Sequence, residues 1–254
     1  MINQLISEFR KLLTVRSTYF ISLFILVVVT IMSFWVQGYK YDGVQGNLLF
    51  QDSLLGVSNV VGFFTAIVAI LLVTHEYRYN TIVYTLTQSN SRSKVLLAKV
   101  LATVTFVSIL TVAAHLLAFA LMTLGNNLAG HPLPAQEVNY GLFFARSLFF
   151  SNGFALAGLI FAAAIRNQVA TFAVLFVVPN ALEGLLNILL KEKSIYLPFS
   201  ALGEVVNPPP AVFGDTGPFV LADLSPGRAA FVYSIYLVIG LVITWLLFLR
   251  RDAS

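Results

Sequence analysis

Apolar residues run through this chain in long unbroken stretches, and charged residues are confined to the gaps between them. A helix needs about 20 mainly apolar residues to cross the hydrocarbon core of a bilayer. Six windows meet that need: 17–36, 53–74, 95–124, 142–165, 169–190 and 229–249. They are far longer than barrel strands and lack strand alternation, so the pattern predicts an all-α membrane protein, a bundle of six transmembrane helices forming one domain over 1–254. The third window is long enough to tilt or to begin outside the membrane. The fifth is interrupted by Pro179, with Asn180 and Glu183 following in its outer half.

Outside the windows the pattern changes. Within 1–16, Ile2, Leu5, Ile6, Phe9, Leu12 and Leu13 recur at helical spacing, with Asn3, Gln4, Glu8, Arg10 and Lys11 on other faces. This predicts an amphipathic helix lying in the inner membrane interface. The first window is too long for a signal-peptide core and ends in Phe34-Trp35-Val36-Gln37 instead of small residues, so it reads as a retained anchor. The last gap, 191–228, carries Pro198, Pro208-Pro209-Pro210, Pro218 and Pro226, which exclude a continuous helix after about Val206. The apolar stretch 195–206 ahead of that run predicts a short re-entrant helix in the outer leaflet.

Composition narrows the class further. Only 10% of the 254 residues are charged, against roughly 25% in soluble domains. There is no cysteine, which removes disulfides, thiolate metal sites and thiol nucleophiles together. A formal net charge of +4, scattered along the chain, gives no nucleic-acid surface. Its placement sets the orientation instead. Arg10, Lys11, Arg16, Arg78, Arg92, Lys94, Lys99, Arg166, Arg250 and Arg251 fall on one side, and Lys40, Arg146, Lys191, Lys193 and Arg228 on the other. The richer side is cytoplasmic by the positive-inside rule, with both termini inside. Acidic residues show the opposite bias but carry little weight in that rule.

The most informative gap is 75–94, beginning His75-Glu76-Tyr77-Arg78-Tyr79-Asn80-Thr81-Ile82 and running through Leu86 to Ser91-Arg92, with Lys99 seven residues beyond Arg92. This segment closely resembles the cytoplasmic loop of ABC-2 type transporter permeases. There, Glu-x-x-x-Gly-Thr leads through a short helix to a Pro/Ser-x-Arg element, and a Lys opens the third span. The resemblance extends over the whole chain, including the Leu197-Pro198-Phe199 element of the last external loop. Two positions depart from it. Asn80 replaces the usual Gly, a change that preserves a left-handed turn, and no Pro precedes Ser91-Arg92.

The resemblance implies a permease subunit of an ATP-binding-cassette exporter in the cytoplasmic membrane of a prokaryote. Two such subunits, identical or not, would pair around a path, with two ABC ATPase subunits supplying ATP and Mg chemistry from outside this chain. Substrates would be drugs, antimicrobial peptides or other amphipathic compounds. The coupling surface would comprise Glu76, Arg78, Asn80, Thr81, Ile82, Leu86 and Arg92. A loop that passes force from a motor needs a stiff element and fixed charges. A helix around 81–88 would supply the first, with Ile82, Val83 and Leu86 filling a groove on the motor. Glu76, Arg78 and Arg92 would supply the second. The chain carries no phosphate-binding loop of its own, since Gly125-Asn126-Asn127-Leu128-Ala129-Gly130 is followed by His131 instead of Lys-Ser/Thr.

Ionisable and polar groups at membrane depth are functional candidates by default. Asn180 and Glu183 flank the proline of span five and suggest a pathway or gate; the rival is a group at the outer interface. His115, midway along span three, suits a hydrogen bond to a neighbouring helix, and His75 and His131 lie too far along the chain to share a metal with it. Asn152 belongs to a small-residue face with Gly153, Ala157, Gly158 and Ala162 that favours close packing. Arg146 lies close enough to the outer end of span four to snorkel. An intramembrane enzyme would need a Ser–His pair, paired Asp or a metal cluster, and none stands out. A stand-alone ion-coupled transporter and a non-transporting scaffold or sensor are the remaining alternatives.

Overall fold

The computed structural model describes residues 2–39, 46–87, 91–130, 140–206 and 224–250, and all regular structure among them is helical. Among the described residues, six segments are long and apolar enough to cross a membrane: Arg16–Val36, Gly56–Arg78, Arg92–Ala129, Gly141–Ile165, Gln168–Tyr196 and Pro226–Arg250. Each overlaps one window of the hydropathy pattern, and together they make a multi-pass membrane protein.

The chain opens with α1 (Ile2–Thr14), which is joined through extended Val15 to α2 (Arg16–Thr30); wider π turns carry α2 on to Tyr39. Next come α3 (Gly46–Arg78), the short α4 (Ile82–Thr87) and the 38-residue α5 (Arg92–Ala129). At 1.5 Å per residue α5 is about 57 Å long, well beyond the hydrocarbon thickness. It stops where Gly130 turns left-handed (φ 75°), a backbone state that costs glycine little.

α6 (Tyr140–Ile165) and α7 (Gln168–Val177) reverse direction through two residues: Arg166 adopts φ 58°, and the Asn167 side chain accepts the Ala170 N–H at 3.0 Å as an N-cap. Pro179 does not end span five. A proline has no N–H and crowds the preceding turn, and the helix absorbs this as a π stretch over Val178–Leu182 before resuming as α8 (Glu183–Leu190). A 3₁₀ segment (Lys191–Tyr196), α9 (Pro198–Val206) and α10 (Pro226–Arg250) follow. The helix predicted over 195–206 is thus mostly present. Gln88, His131 and the run Pro208-Pro209-Pro210 lie outside the described residues.

α3 and α6 form the centre, because small residues let their backbones approach. A Cβ on Gly158 would meet the Ala66 carbonyl oxygen at 2.9 Å, and one on Gly62 would meet the Phe150 ring at 2.8 Å. Ala66, Ala69, Ile70 and Val73 of α3 pack there with Ala155, Leu159 and Ala162 of α6. α2, α7, α8 and α10 instead present Phe20, Leu23, Val169, Leu185, Ile188 and Phe231 outward. Large exposed apolar faces of this kind suit lipid or further helices.

Candidate functional site at one end of the bundle

The C-terminal end of α3 is closed by a Schellman motif. The Thr81 N–H donates to the Glu76 carbonyl at 2.9 Å and the Asn80 N–H to the Tyr77 carbonyl at 3.3 Å, with Asn80 left-handed at φ 54°. This is the conformation that motivated reading Asn80 as a replacement for glycine. The turn reverses the chain into α4. Ile82 is buried among Val95, Leu96 and Val73, and Leu86 packs partly against the same cluster. Of the three apolar residues expected to meet a partner, only Val83 is exposed, and Tyr79 and Tyr84 flank it at 63% and 70% exposure. Ile82 and Leu86 therefore anchor α4 to the bundle instead of projecting from it.

Beneath α4 lies a ring of four charges drawn from three helices. Glu8 of α1 contacts Lys11 through Oε1 at 2.6 Å and Lys99 of α5 through Oε2 at 2.8 Å. Glu76 of α3 takes both lysines on its Oε1, Lys11 at 2.5 Å and Lys99 at 2.8 Å. Lys99 also donates to the Leu72 carbonyl at 3.4 Å. Signs alternate around the ring, so each charge touches two of the opposite sign and the set is neutral, which is what lets Glu8, Glu76 and Lys99 stay almost fully buried. Burial pulls the Lys11 ammonium down, but the neighbouring Glu76 and Glu8 carboxylates outweigh it and hold its pKa above the ordinary lysine value of 10.5. Glu76 Oε2 is buried with no hydrogen-bond partner among the described residues.

Glu76 was expected to meet charges on a partner; at 5% exposure it is committed inside the chain. Sequence reading missed Lys11 and Lys99 as its partners, and with them the pairing of Glu8 and Lys11. Their i, i+3 spacing is visible in α1, but no local pattern announces an acid 65 residues away.

The other loop charges are also tied down. Arg92 Nη1 donates to the Leu249 carbonyl at 3.2 Å near the end of α10, and Trp245 Nε1 donates to Ser93 Oγ at 2.8 Å. Arg78 reaches Gln168 Oε1 at 3.4 Å and stacks on Tyr79, while Arg166 lies over Tyr77. Around the ring opens a cleft of about 740 Å³ between α1, the end of α3, α4 and the start of α5.

The candidates within the spans are brought to separate places. Glu183 accepts the Phe199 N–H on Oε1 at 2.8 Å, and the Ser200 N–H and hydroxyl on Oε2 at 2.7 and 2.8 Å. Its buried carboxylate caps the first turn of α9, where the orphan amides and the helix dipole favour an anion. Pro198 at the first helical position has no amide to satisfy there. Asn180 lies one turn earlier, and its Nδ2 donates to the Phe176 carbonyl at 2.9 Å.

A serine–histidine contact that does not stand out in the sequence is present: His115 Nε2 sits 3.0 Å from Ser58 Oγ, which is 2.9 Å from Ser147 Oγ. The other ring nitrogen faces the Thr111 carbonyl at 2.8 Å, so Nδ1 carries the proton and Nε2 accepts. His115, Ser58 and Ser147 have no exposed surface. The trio is enclosed and joins α3, α5 and α6. Asn152 adds a second link, donating to Ser108 Oγ at 3.0 Å and to the Leu148 carbonyl at 2.8 Å.

No family model matches the chain, and no curated protein matches it either. No group of three or more potential metal ligands occurs among the described residues.

Proposed function

We propose that this chain is the permease subunit of an ATP-binding-cassette exporter of hydrophobic or amphipathic compounds, driven by two separate cytoplasmic ATPase subunits and working with a second permease copy or paralogue. The observation that carries the reading is the construction of the 75–94 segment: α4 and the turn before it expose Tyr79, Val83 and Tyr84, while the base of α4 is fixed by Ile82 and by the charge ring beneath. An exposed aromatic edge on a rigid mount suits a protein contact. The ring ties α3 to α1 and α5, so a displacement at α4 has a stiff route into two other helices.

The sidedness of α1 supports a position in the inner membrane interface. Leu5, Phe9 and Leu12 pack on the bundle, Ile2, Ile6 and Leu13 remain exposed, and Asn3, Ser7 and Lys11 face the cleft. That gives one helix a protein side, a lipid side and a polar side. At the other end, α9 lies across α6 and α10, with Leu202 and Val206 against Phe150 and Tyr233. We read it as a re-entrant outer gate held shut by the Glu183 cap.

The test is purification of the tagged chain from its native membranes in mild detergent. A stoichiometric soluble ATPase is expected to accompany it and to be lost in a Val83→Ser/Tyr84→Ala variant, whose changes lie on exposed side chains. Charge reversal of Glu76 is unsuitable here, because it would bury an unmatched charge. A chain that arrives alone and moves solute in vesicles without ATP would overturn the reading in favour of ion coupling.

A further inference from the structure

The cleft beside the charge ring has the chemistry of a binding site. Its volume of about 740 Å³ falls in the range typical of small-molecule pockets, roughly 300–1,000 Å³. Its lining combines apolar Leu12, Val15 and Leu72 with polar Asn3, Ser7 and Thr85. Glu76 lines it, 5% exposed, with its Oε2 lacking any hydrogen-bond partner among the described residues. A buried carboxylate oxygen left unsatisfied is costly and calls for a donor.

Charge is graded from the mouth inward. Lys11 is the most exposed member of the ring, with 32% of its side chain accessible, and Arg10 joins it in an adjoining recess with Asn3, Ser7 and Thr14. Lys11 uses its ammonium on Glu8 and Glu76, and the third N–H of the three it carries is left over for an acceptor. The site thus offers cations at the mouth and, within, a carboxylate with one oxygen still lacking a donor. A complementary ligand carries its negative group outside, its primary ammonium inside, and an apolar body along the apolar lining.

We propose that this cleft binds the phosphoethanolamine headgroup of an inner-leaflet aminophospholipid, with the phosphate at Lys11 and Arg10 and the ammonium at Glu76. Lys11 sits on the other oxygen, Oε1, at 2.5 Å, so the ammonium takes its place on the carboxylate and turns its remaining N–H groups to Oε2, which frees Lys11 for the phosphate. The neutral ring stays neutral, because the headgroup is a zwitterion. Occupancy wedges α1 against α4, the two elements that the proposed function makes mobile. The inference rests on that reading only in placing α1 at the inner membrane surface.

The experiment is native mass spectrometry of the full chain purified into detergent and supplied with equal amounts of phosphatidylethanolamine, phosphatidylcholine and phosphatidylglycerol. Retention of phosphatidylethanolamine is expected to exceed phosphatidylcholine by about tenfold, since a quaternary ammonium has no N–H to give. Glu76→Gln is expected to remove that preference. Ser7→Phe, which fills the cleft one turn from Lys11 and leaves all four ring charges in place, is expected to remove it at an unchanged melting temperature, so that the result does not depend on one destabilised variant. Equal retention of the three lipids would overturn the proposal, as would a preference that survives Ser7→Phe. Competition by soluble phosphoethanolamine at the same concentration as the lipid would overturn the lipid source in favour of the free compound. ATPase co-purification measured on the same samples separates the two readings: a lost lipid preference with the ATPase retained defeats only the cleft.

Discussion

At the scale of single residues, the decisive choice is an alternating ring of charge. Removing one member of a buried ion pair leaves its partner uncompensated and costs about 3–5 kcal/mol. Lys99, 1% exposed, contacts both Glu8 and Glu76, so Lys99→Met is expected to approach that loss in thermal or denaturant unfolding in detergent. Lys11→Met, at the solvent edge, is expected to cost clearly less; an equal loss would mean that the ring is not graded by burial. Lys11 also sets an alkaline limit. It holds its proton more tightly in the folded chain than its ordinary value of 10.5 allows, so its contribution is complete below that pH and fades as pH rises beyond it. Melting followed by intrinsic fluorescence between about pH 9 and 12 is expected to fall, with a shallower fall in Lys11→Met. Little of this was legible in advance. Asn80 was, because a left-handed C′ position is a local property that a single residue type reveals. The partners of Glu76 were not, because sequence spacing carries no information about which helices meet.

Elements were the most legible level, since a bilayer imposes one length and one polarity on every span. All six windows are helices, and even the short α4 lies where a stiff connector was expected. What the pattern left open was how helices absorb irregularities. Pro179 suggested an interruption, yet a π turn accommodates it, because one extra residue per turn removes the clash without ending the helix. Packing gives glycine two opposite meanings. Gly158 in α6 faces the Ala66 carbonyl, and a methyl group there would be forced against backbone at 2.9 Å. Gly158→Ala is expected to destabilise by about 1–3 kcal/mol through overpacking. Gly184 in α8 has nothing within 4 Å of a new Cβ. Gly184→Ala is expected to be neutral or to stabilise by up to about 1 kcal/mol, the helix-propensity difference. Paired melts of the two variants read both effects, and a loss at Gly184 equal to that at Gly158 would contradict the open space beside Gly184.

For the whole molecule, the arrangement separates contact from transmission. Tyr79, Val83 and Tyr84 face outward, whereas Glu8, Glu76 and Lys99 are sealed beneath them and join three helices. Surface and ring are therefore open to independent perturbation, and the transporter reading makes a different demand on each. If an ATPase pushes on α4, the displacement reaches α1 through two ring contacts, Lys11 of α1 on Glu76 and Lys99 of α5 on Glu8 of α1. Lys11→Met removes the first of these, the direct link from α3 to α1, while leaving the Lys99 contacts and the exposed edge of α4 intact. The expected outcome is an ATPase that still co-purifies and still hydrolyses ATP in reconstituted vesicles, with export per ATP reduced several-fold. A scaffold or sensor would show no export to lose, and an ion-coupled carrier would lose none when ATP is withheld. Should Lys11→Met leave export per ATP unchanged while Val83→Ser/Tyr84→Ala releases the ATPase, the direct Lys11–Glu76 link would be excluded from the transmission path, and the force would have to pass through the Lys99 contacts or from α4 into α5 through Ile82, Val95 and Leu96.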